Sequence, residues 1–150
     1  MARILIADDD AELRQSLVIA LVDRGHEVAA VLDGHKAIEA LCNVTPDLIL
    51  LDVRMPGKDG FHVLEELNGS GFRDLTRVLM LTTSGSEQDA SRAFELGADA
   101  YVTKPFDPVE VVRQVEGLLA LSSEELRTSR ERELDRSRLL SQLESILGEG

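Results

Sequence analysis

The chain has little of several features that would assign it to other classes of protein. It has one cysteine, Cys42, among 150 residues, so no disulfide can form within the chain. No apolar run approaches the roughly 20 residues of a membrane-spanning helix, and the N-terminus MARILIADDD lacks the features of a secretory signal. We therefore expect a cytoplasmic protein that does not contact the membrane. Because Cys42 lies in an apolar helical pattern, we expect a buried or half-buried thiol.

Positive charge is also scarce. The sequence has 16 Lys and Arg residues against 28 Asp and Glu residues, which gives a formal net charge of −12 at pH 7. Such a surface repels the phosphates of nucleic acids and anionic membranes. The sequence contains neither a basic stripe nor a helix-turn-helix pattern, so we expect no direct binding of nucleic acid by this chain.

Short apolar segments alternate with amphipathic segments along the first 120 residues. The composition, 43% hydrophobic and 29% charged, is that of a globular domain. The strand-like segments are 3–7, 27–31, 47–51, 77–81 and 100–103, and the helical segments are 11–24, 35–43, 61–67, 87–96 (with Ser86 as its cap) and 108 onward. Strands that alternate with helices predict an α/β fold with a five-stranded parallel sheet covered on both faces. In such folds ligands bind beyond the carboxyl ends of the strands.

Polar residues gather at these strand ends. Asp8, Asp9 and Asp10 follow the first strand, Asp52 follows the third, Thr82 and Thr83 follow the fourth, and Lys104 follows the fifth. Asp10 could cap the first helix. Three converging carboxylates exceed what capping requires, however, and they would repel one another unless a cation were present. Oxygen ligands without nearby His or Cys suit Mg2+, so the sequence predicts a magnesium site here.

One of these acids could then act as a nucleophile. A carboxylate can accept a phosphoryl group and form an acyl phosphate. The transfer depends on in-line positioning and on neutralisation of the phosphoryl oxygens. Mg2+ and Lys104 would supply positive charge, and the Thr82 hydroxyl could donate a hydrogen bond to a phosphoryl oxygen.

Four sequence blocks carry a resemblance to a known family. They are Ile4–Asp10 (ILIADDD), 47–60 (DLILLDVRMPGKDG), 80–82 (MLT) and 97–106 (GADAYVTKPF). Their residues, order and spacing resemble the receiver domains of two-component response regulators over about residues 3 to 120. The resemblance implies a doubly wound, flavodoxin-like (βα)5 fold with strand order 2-1-3-4-5 for residues 1–121.

The resemblance also implies a role for individual residues. Asp52 is the phosphoacceptor, and Asp8, Asp9, Asp52 and the backbone carbonyl of Arg54 hold Mg2+. Thr82 and Lys104 contact the phosphoryl group, and Tyr101 moves inward together with Thr82 as the switch. The bond between Lys104 and Pro105 is expected to be cis. Arg54 and Ser84 are expected to tune the lifetime of the phosphorylated state.

A receiver accepts its phosphoryl group from a histidine on a partner. The resemblance therefore implies that a sensor histidine kinase or a histidine phosphotransfer protein is the partner of this chain. It further implies a phosphoacceptor that assists its own phosphorylation and dephosphorylation, rather than an enzyme with external substrates. Ala100 occupies a position where winged-helix transcription-factor receivers usually carry an acid, which argues against their salt-bridged dimer face.

Two other functions remain open from the residues alone. A Mg2+-dependent phosphatase with an aspartyl nucleophile, of the haloacid-dehalogenase type, uses a similar set of groups. That family places a second Asp two residues after the nucleophile, where this chain has Arg54. The second alternative is an interaction module that is never phosphorylated, which predicts no response to Mg2+ or to small phosphodonors.

Residues 122–150 exceed what a receiver requires. Arginines and glutamates are interspersed there, which is typical of an exposed helix. Apolar residues recur every seven positions, at 112, 119, 126, 140 and 147, so a last helix that runs on into this extension could form a homodimer. Alternatively, Ser122 and Glu125 form a capping box that starts a separate, folded-back helix, or the segment is a linker. The segment is also expected to precede a missing effector domain.

Overall fold

The fold is described by a computed structural model that covers residues 1–71, 73–83 and 87–148. The strands are β1 (Arg3–Ala7), β2 (Glu27–Val31), β3 (Leu48–Asp52), β4 (Arg77–Thr82) and β5 (Ala100–Thr103). The helices are α1 (Ala11–Asp23), α2 (Gly34–Asn43), α3 (Gly60–Gly69), α4 (Glu87–Glu95), α5 (Pro108–Leu119) and α6 (Ser123–Leu147), with a short 3-10 helix at Arg73–Leu75. Strands and helices therefore alternate as the sequence predicts.

The five strands form one parallel sheet in the order β2-β1-β3-β4-β5. Successive side chains of a strand point to opposite faces. In β3 this alternation sends Leu48 and Leu50 into the core under α1 and α5, whereas Ile49 and Leu51 pack under α2, α3 and α4. Because both faces of β3 are buried, its sequence is a continuous apolar run. The structure confirms the predicted doubly wound architecture and strand order.

Most of the helices have an N-cap residue with an acidic or hydroxyl side chain. The N-caps in the described part of the chain are Asp10, Asp33, Asp59, Asp107 and Ser122. Each of these side chains accepts a hydrogen bond from a backbone N–H of the first helical turn, which has no partner within the helix. The predicted cap Ser86 and the nearby Ser84 lie outside the described residues. None of the helices in the described ranges combines the length and apolar character that crossing a bilayer would require.

The C-terminal segment differs from the prediction of one long helix that runs on past the domain. α5 ends at Leu119 because the guanidinium of Arg77 binds the carbonyl oxygens of Leu118 at 2.7 Å and Leu121 at 2.6 Å. A new helix then starts at the Ser122 capping box and packs back on α4. The prediction of one continuous helix was therefore wrong, and the alternative of a separate, folded-back helix is confirmed.

Cys42 also differs from its prediction, because its side chain is exposed. The sheet-facing stripe of α2 runs through Ala37, Ile38 and Leu41. Cys42 follows Leu41 by one residue, about 100° further round the helix, and so lies outside that stripe. The apolar pattern correctly predicted the helix, but the prediction that the Cys42 thiol is buried or half-buried was wrong.

Candidate functional site

Four strand ends bring the predicted polar residues together at one edge of the sheet. Asp8 directly follows β1, Asp52 is the last residue of β3, Thr82 is the last of β4, and Lys104 directly follows β5. The register sets Ala7 opposite Leu51 and Asp52 opposite Leu81, so these ends lie level. Asp8, Asp52 and Thr82 are buried, whereas Asp9 is exposed.

Lys104 connects the two buried carboxylates. Its Nζ lies 2.8 Å from Asp8 Oδ2 and 3.2 Å from Asp52 Oδ2. Charged groups are rarely buried without a partner of opposite charge, since their desolvation costs several kcal/mol or more. Lys104 therefore holds the two acids together at the bottom of the site.

Backbone hydrogen bonds fix the other carboxylate oxygens. Asp52 Oδ1 accepts from the Arg54 N–H at 3.2 Å, and Asp8 Oδ1 accepts from the Asp10 N–H at 2.9 Å. The Arg14 guanidinium donates to the Asp8 carbonyl at 2.7 Å and anchors this turn to α1. Arg14 could not be identified from the sequence, because nothing in its spacing distinguishes it from a solvated helix residue.

The crowding of charge changes the pKa of two groups. Burial and the neighbouring Asp8 carboxylate raise the pKa of Asp52 from 3.8 to about 6, although Lys104 opposes this shift. Burial alone would lower the pKa of Lys104, but its contacts with Asp8 and Asp52 raise it above 10.5. At pH 7 Asp52 is therefore mostly ionised, and Lys104 is a cation.

The three acids at this edge have room for a cation. One oxygen from each of Asp8, Asp9 and Asp52 lies within 4.8 Å of the others. Apart from its ion pair with Lys104, no hydrogen-bond donor in the described part of the chain reaches the buried Asp8 Oδ2. One ammonium group faces three carboxylates, so negative charge is in excess. The oxygen-only donor set and this excess charge fit a hard divalent cation such as Mg2+.

The loop after β3 lies close against the backbone of that strand. A Cβ on Gly60 would come within 2.3 Å of the Asp52 carbonyl oxygen, so only glycine fits there. The Gly60 N–H donates to the Val53 carbonyl at 2.9 Å. The bond between Lys104 and Pro105 is cis, as the sequence predicts.

The predicted switch residues lie on neighbouring strands. Thr82 ends β4, and its carbonyl accepts the Lys104 N–H at 2.6 Å. Tyr101 is half-buried on β5, and its ring lies 6.4 Å from that of Phe94 on α4. The loop after Asp52 also contacts α4, because Arg54 Nη2 lies 3.3 Å from Asp89 Oδ2. The sequence did not reveal this last pair, since the two residues are 35 positions apart.

A parallel sheet with these groups at its carboxyl edge defines a receiver, and the comparison with known families agrees. A sequence profile of the response regulator receiver domain matches residues 4–116. The chain therefore belongs to the response regulator receiver domain family and takes part in two-component signalling.

Individual relatives show how much of a longer protein the chain represents. The chain is 41% identical to the DNA-binding dual master transcriptional regulator RpaA of Synechocystis sp. over 79% of its own length and 49% of that protein. It is 36% identical to the phosphate regulon transcriptional regulatory protein PhoB of Escherichia coli over 78% of its length and 51% of that protein. The chain thus spans about half the length of these curated relatives.

A solved structure of a different regulator has the same fold. The chemotaxis response regulator CheY4 of Vibrio cholerae superposes with a TM-score of 0.74 at 31% identity. The match covers 78% of this chain and 98% of that one.

Proposed function

We propose that this receiver domain accepts a phosphoryl group on Asp52 and uses the resulting charge to change its surface. The observation that supports this proposal best is the arrangement of Asp52 beside Asp8 and Lys104 at the end of β3. The carboxylate is ionised at pH 7, it is held by an N–H from its own loop, and it has a cation next to it. These are the properties that a phosphoryl-accepting nucleophile requires.

In the transfer, a carboxylate oxygen of Asp52 attacks the phosphorus atom of the donor. A new P–O bond forms to Asp52, the bond from phosphorus to the donor group breaks, and the donor group leaves with that electron pair. On this proposal, the Lys104 ammonium and the Thr82 hydroxyl stabilise the phosphoryl oxygens. The Arg54 N–H, which now donates to Asp52 Oδ1, can donate to a phosphoryl oxygen instead.

Mg2+ is the metal that we propose for the acidic cluster. Asp8, Asp9, Asp52 and the backbone carbonyl of Arg54 would hold the ion, whose charge would offset that of the phosphoryl oxygens. The role of the Arg54 carbonyl rests on the resemblance of the sequence block around Asp52. Asp9 is the exposed member of the cluster and so is the ligand that can be removed with the least damage to the fold.

The proposed phosphodonor is a sensor histidine kinase or a histidine phosphotransfer protein. Relatives such as RpaA and PhoB are named as transcriptional regulators, and this chain spans about half of each. We propose that the acidic receiver itself, with its net charge of −12, does not contact nucleic acid. On this proposal it acts on its output or partner through a change of shape, not as an enzyme with external substrates.

The test of this function is the uptake of a phosphoryl group from acetyl phosphate, measured by intact mass spectrometry. We expect one phosphoryl group per chain, and none when EDTA removes divalent cations. We also expect no sustained turnover of p-nitrophenyl phosphate. Continuous hydrolysis of that ester would support the phosphatase alternative, and a chain that never gains mass would support the interaction module.

Magnesium is expected to stabilise the domain near pH 7, because it relieves repulsion among Asp8, Asp9 and Asp52. A concentration of roughly 100 times the dissociation constant adds about 2.7 kcal/mol to the free energy of unfolding. Urea unfolding with MgCl2 or with EDTA measures this gain. Asp9→Ala should remove most of it, whereas Asp74→Asn, at an exposed site in the 3-10 helix, should retain it. A wild type that is indifferent to Mg2+ would contradict the site.

The C-terminal extension is also expected to mediate self-association of the chain. Leu140, Leu143 and Leu147 are 41%, 46% and 80% exposed and recur along one stripe of α6. We expect the full chain to form a weak homodimer through this stripe in sedimentation experiments. Leu143→Glu should weaken association about tenfold or more, because a charged carboxylate would then be buried. Ser145→Glu is the control, and a wild type that stays monomeric at high concentration would contradict the dimer.

A further inference from the structure

Two ion pairs hold α6 against α4 and β5. The Arg130 guanidinium pairs with the buried carboxylate of Asp99, which directly precedes β5, and its Nη2 lies 3.3 Å from Asp99 Oδ2. Further along, Arg138 binds Glu95 of α4 through two contacts of 2.8 and 3.1 Å. α6 thus covers the face of the domain formed by α4 and the start of β5, which we call the α4–β5 face.

Next to these ion pairs, serines of α4 and α6 also contact each other. The Ser91 hydroxyl of α4 lies 3.0 Å from that of Ser137 and 2.9 Å from that of Ser141. Ser137 is buried, whereas the large apolar side chains in the last turns of α6 are exposed, namely Leu139, Leu140, Leu143, Ile146 and Leu147. The C-terminal half of α6 therefore docks by its polar side. Since little apolar area is buried there, the docked arrangement depends on a few polar contacts that a local change can break.

The same face is connected to Asp52 through Arg54. Arg54, whose N–H binds Asp52, contacts Asp89 on α4, and Asp89 lies two residues before Ser91. In addition, a cavity of about 280 Å³ is lined by residues of α4, β5, α5 and α6, among them Tyr101 and Glu133. A movement of Arg54 would therefore reach α4, and a movement of the Tyr101 ring would change the shape of a cavity that α6 helps to line.

We propose that the α4–β5 face is a helix-docking surface whose resident occupant is α6, and that phosphorylation of Asp52 releases α6 from it. The inference rests on the proposed phosphorylation of Asp52. The phosphoryl group carries about −1.5 to −2 charges, in place of the single charge of the Asp52 carboxylate, and places them beside the Arg54 N–H. Arg54 is then drawn toward the phosphoryl oxygens and away from Asp89, and the start of α4 loses a contact that holds it beside the acceptor loop. The shift of α4 separates Ser91 from Ser137, and the exposed α4–β5 face becomes available to a partner.

A disulfide across the serine contact tests this directly on the full chain. In a Cys42→Ser background, Ser91→Cys with Ser137→Cys places two thiols where hydroxyl oxygens now lie 3.0 Å apart. We expect rapid oxidative cross-linking in the unphosphorylated chain, and cross-linking that is about tenfold slower after treatment with acetyl phosphate and Mg2+. The phosphorylated fraction of each sample is measured by mass. Adding Asp52→Asn should abolish the slowing.

The outcomes separate the release of α6 from the phosphorylation itself. If the chain gains a phosphoryl group and the cross-linking rate does not change, the release of α6 is overturned while the function of Asp52 stands. If the chain gains no phosphoryl group, both are overturned. Failure of the unphosphorylated chain to cross-link would overturn the docked position of α6.

Thermodynamic reciprocity supplies a second measurement that needs no cysteine. If phosphorylation releases α6, then weakening its docking must favour the phosphorylated form. We expect Arg138→Ala to tighten the reversible binding of beryllofluoride, a mimic of the phosphoryl group, about twofold or more in the presence of Mg2+. The matched control is Arg132→Ala, because Arg132 is exposed on the same helix and forms no ion pair within the described residues. Equal affinities of the two variants for beryllofluoride would count against the coupling.

Discussion

Asp52→Asn is expected to take up no phosphoryl group from acetyl phosphate under conditions that fully label the wild type. The amide nitrogen and oxygen of Asn occupy the same positions as the carboxylate oxygens, so the fold is retained. The neutral amide is, however, a poor nucleophile toward phosphorus, and it no longer balances the charge of Lys104. The expected loss is complete within the sensitivity of mass spectrometry, which makes this the largest effect predicted for any single substitution.

The control for this experiment is another acid-to-amide change that leaves the site intact. Asp74 is exposed in the 3-10 helix, and Asp74→Asn makes the same change in charge at a distance from Asp52. We expect Asp74→Asn to be labelled like the wild type. Peptide mapping of the labelled chain should locate the group on the peptide that contains Asp52. Labelling of Asp52→Asn to the wild-type level would refute the assignment of the acceptor.

The same substitution is expected to stabilise the metal-free domain at pH 7. The pKa of Asp52 is raised from 3.8 to about 6, so ionising this group is harder in the folded chain than in the unfolded chain. Well below pH 4 Asp52 is protonated in both states, and the wild type carries no penalty. The penalty grows as the pH rises from about 4 to 6 and is constant above that, at roughly 2 to 3 kcal/mol.

Asn cannot ionise, so Asp52→Asn avoids this penalty. The difference in free energy of unfolding between variant and wild type should therefore be small at pH 4 and reach its full value by pH 7. Urea unfolding in EDTA over this pH range measures the difference, and Asp74→Asn supplies the flat reference curve. A difference that stays constant from pH 4 to pH 8 would show that burial of the Asp52 charge does not destabilise the fold.

Local patterns were sufficient to predict most of the fold and the members of the candidate site. The continuous apolar run 48–51 predicts a strand buried on both faces, and the structure shows this for β3. The acids and the lysine are recognisable because parallel strands end at one edge, where Asp8, Asp52 and Lys104 converge. Such features depend on residues that are close in sequence or on a general rule of sheet topology.

The course of the C-terminal segment required the tertiary structure. Apolar residues at sevenfold spacing favour one long helix, whereas the capping box at Ser122 favours a break. What decides between them is Arg77 on β4, which binds the carbonyls of Leu118 and Leu121. A side chain more than 40 positions away in sequence cannot be identified from the helix pattern itself.

The sequence alone determined the α/β class, the edge of the sheet where chemistry would occur and the identity of the candidate acceptor. It did so because hydrophobic period, capping and motif spacing are local properties of the chain. Only the tertiary structure decided that Lys104 pairs with both buried acids, that Arg54 contacts Asp89, and that α6 docks on α4 by its serines. These contacts join residues of separate elements, and their geometry depends on how the helices pack on the sheet.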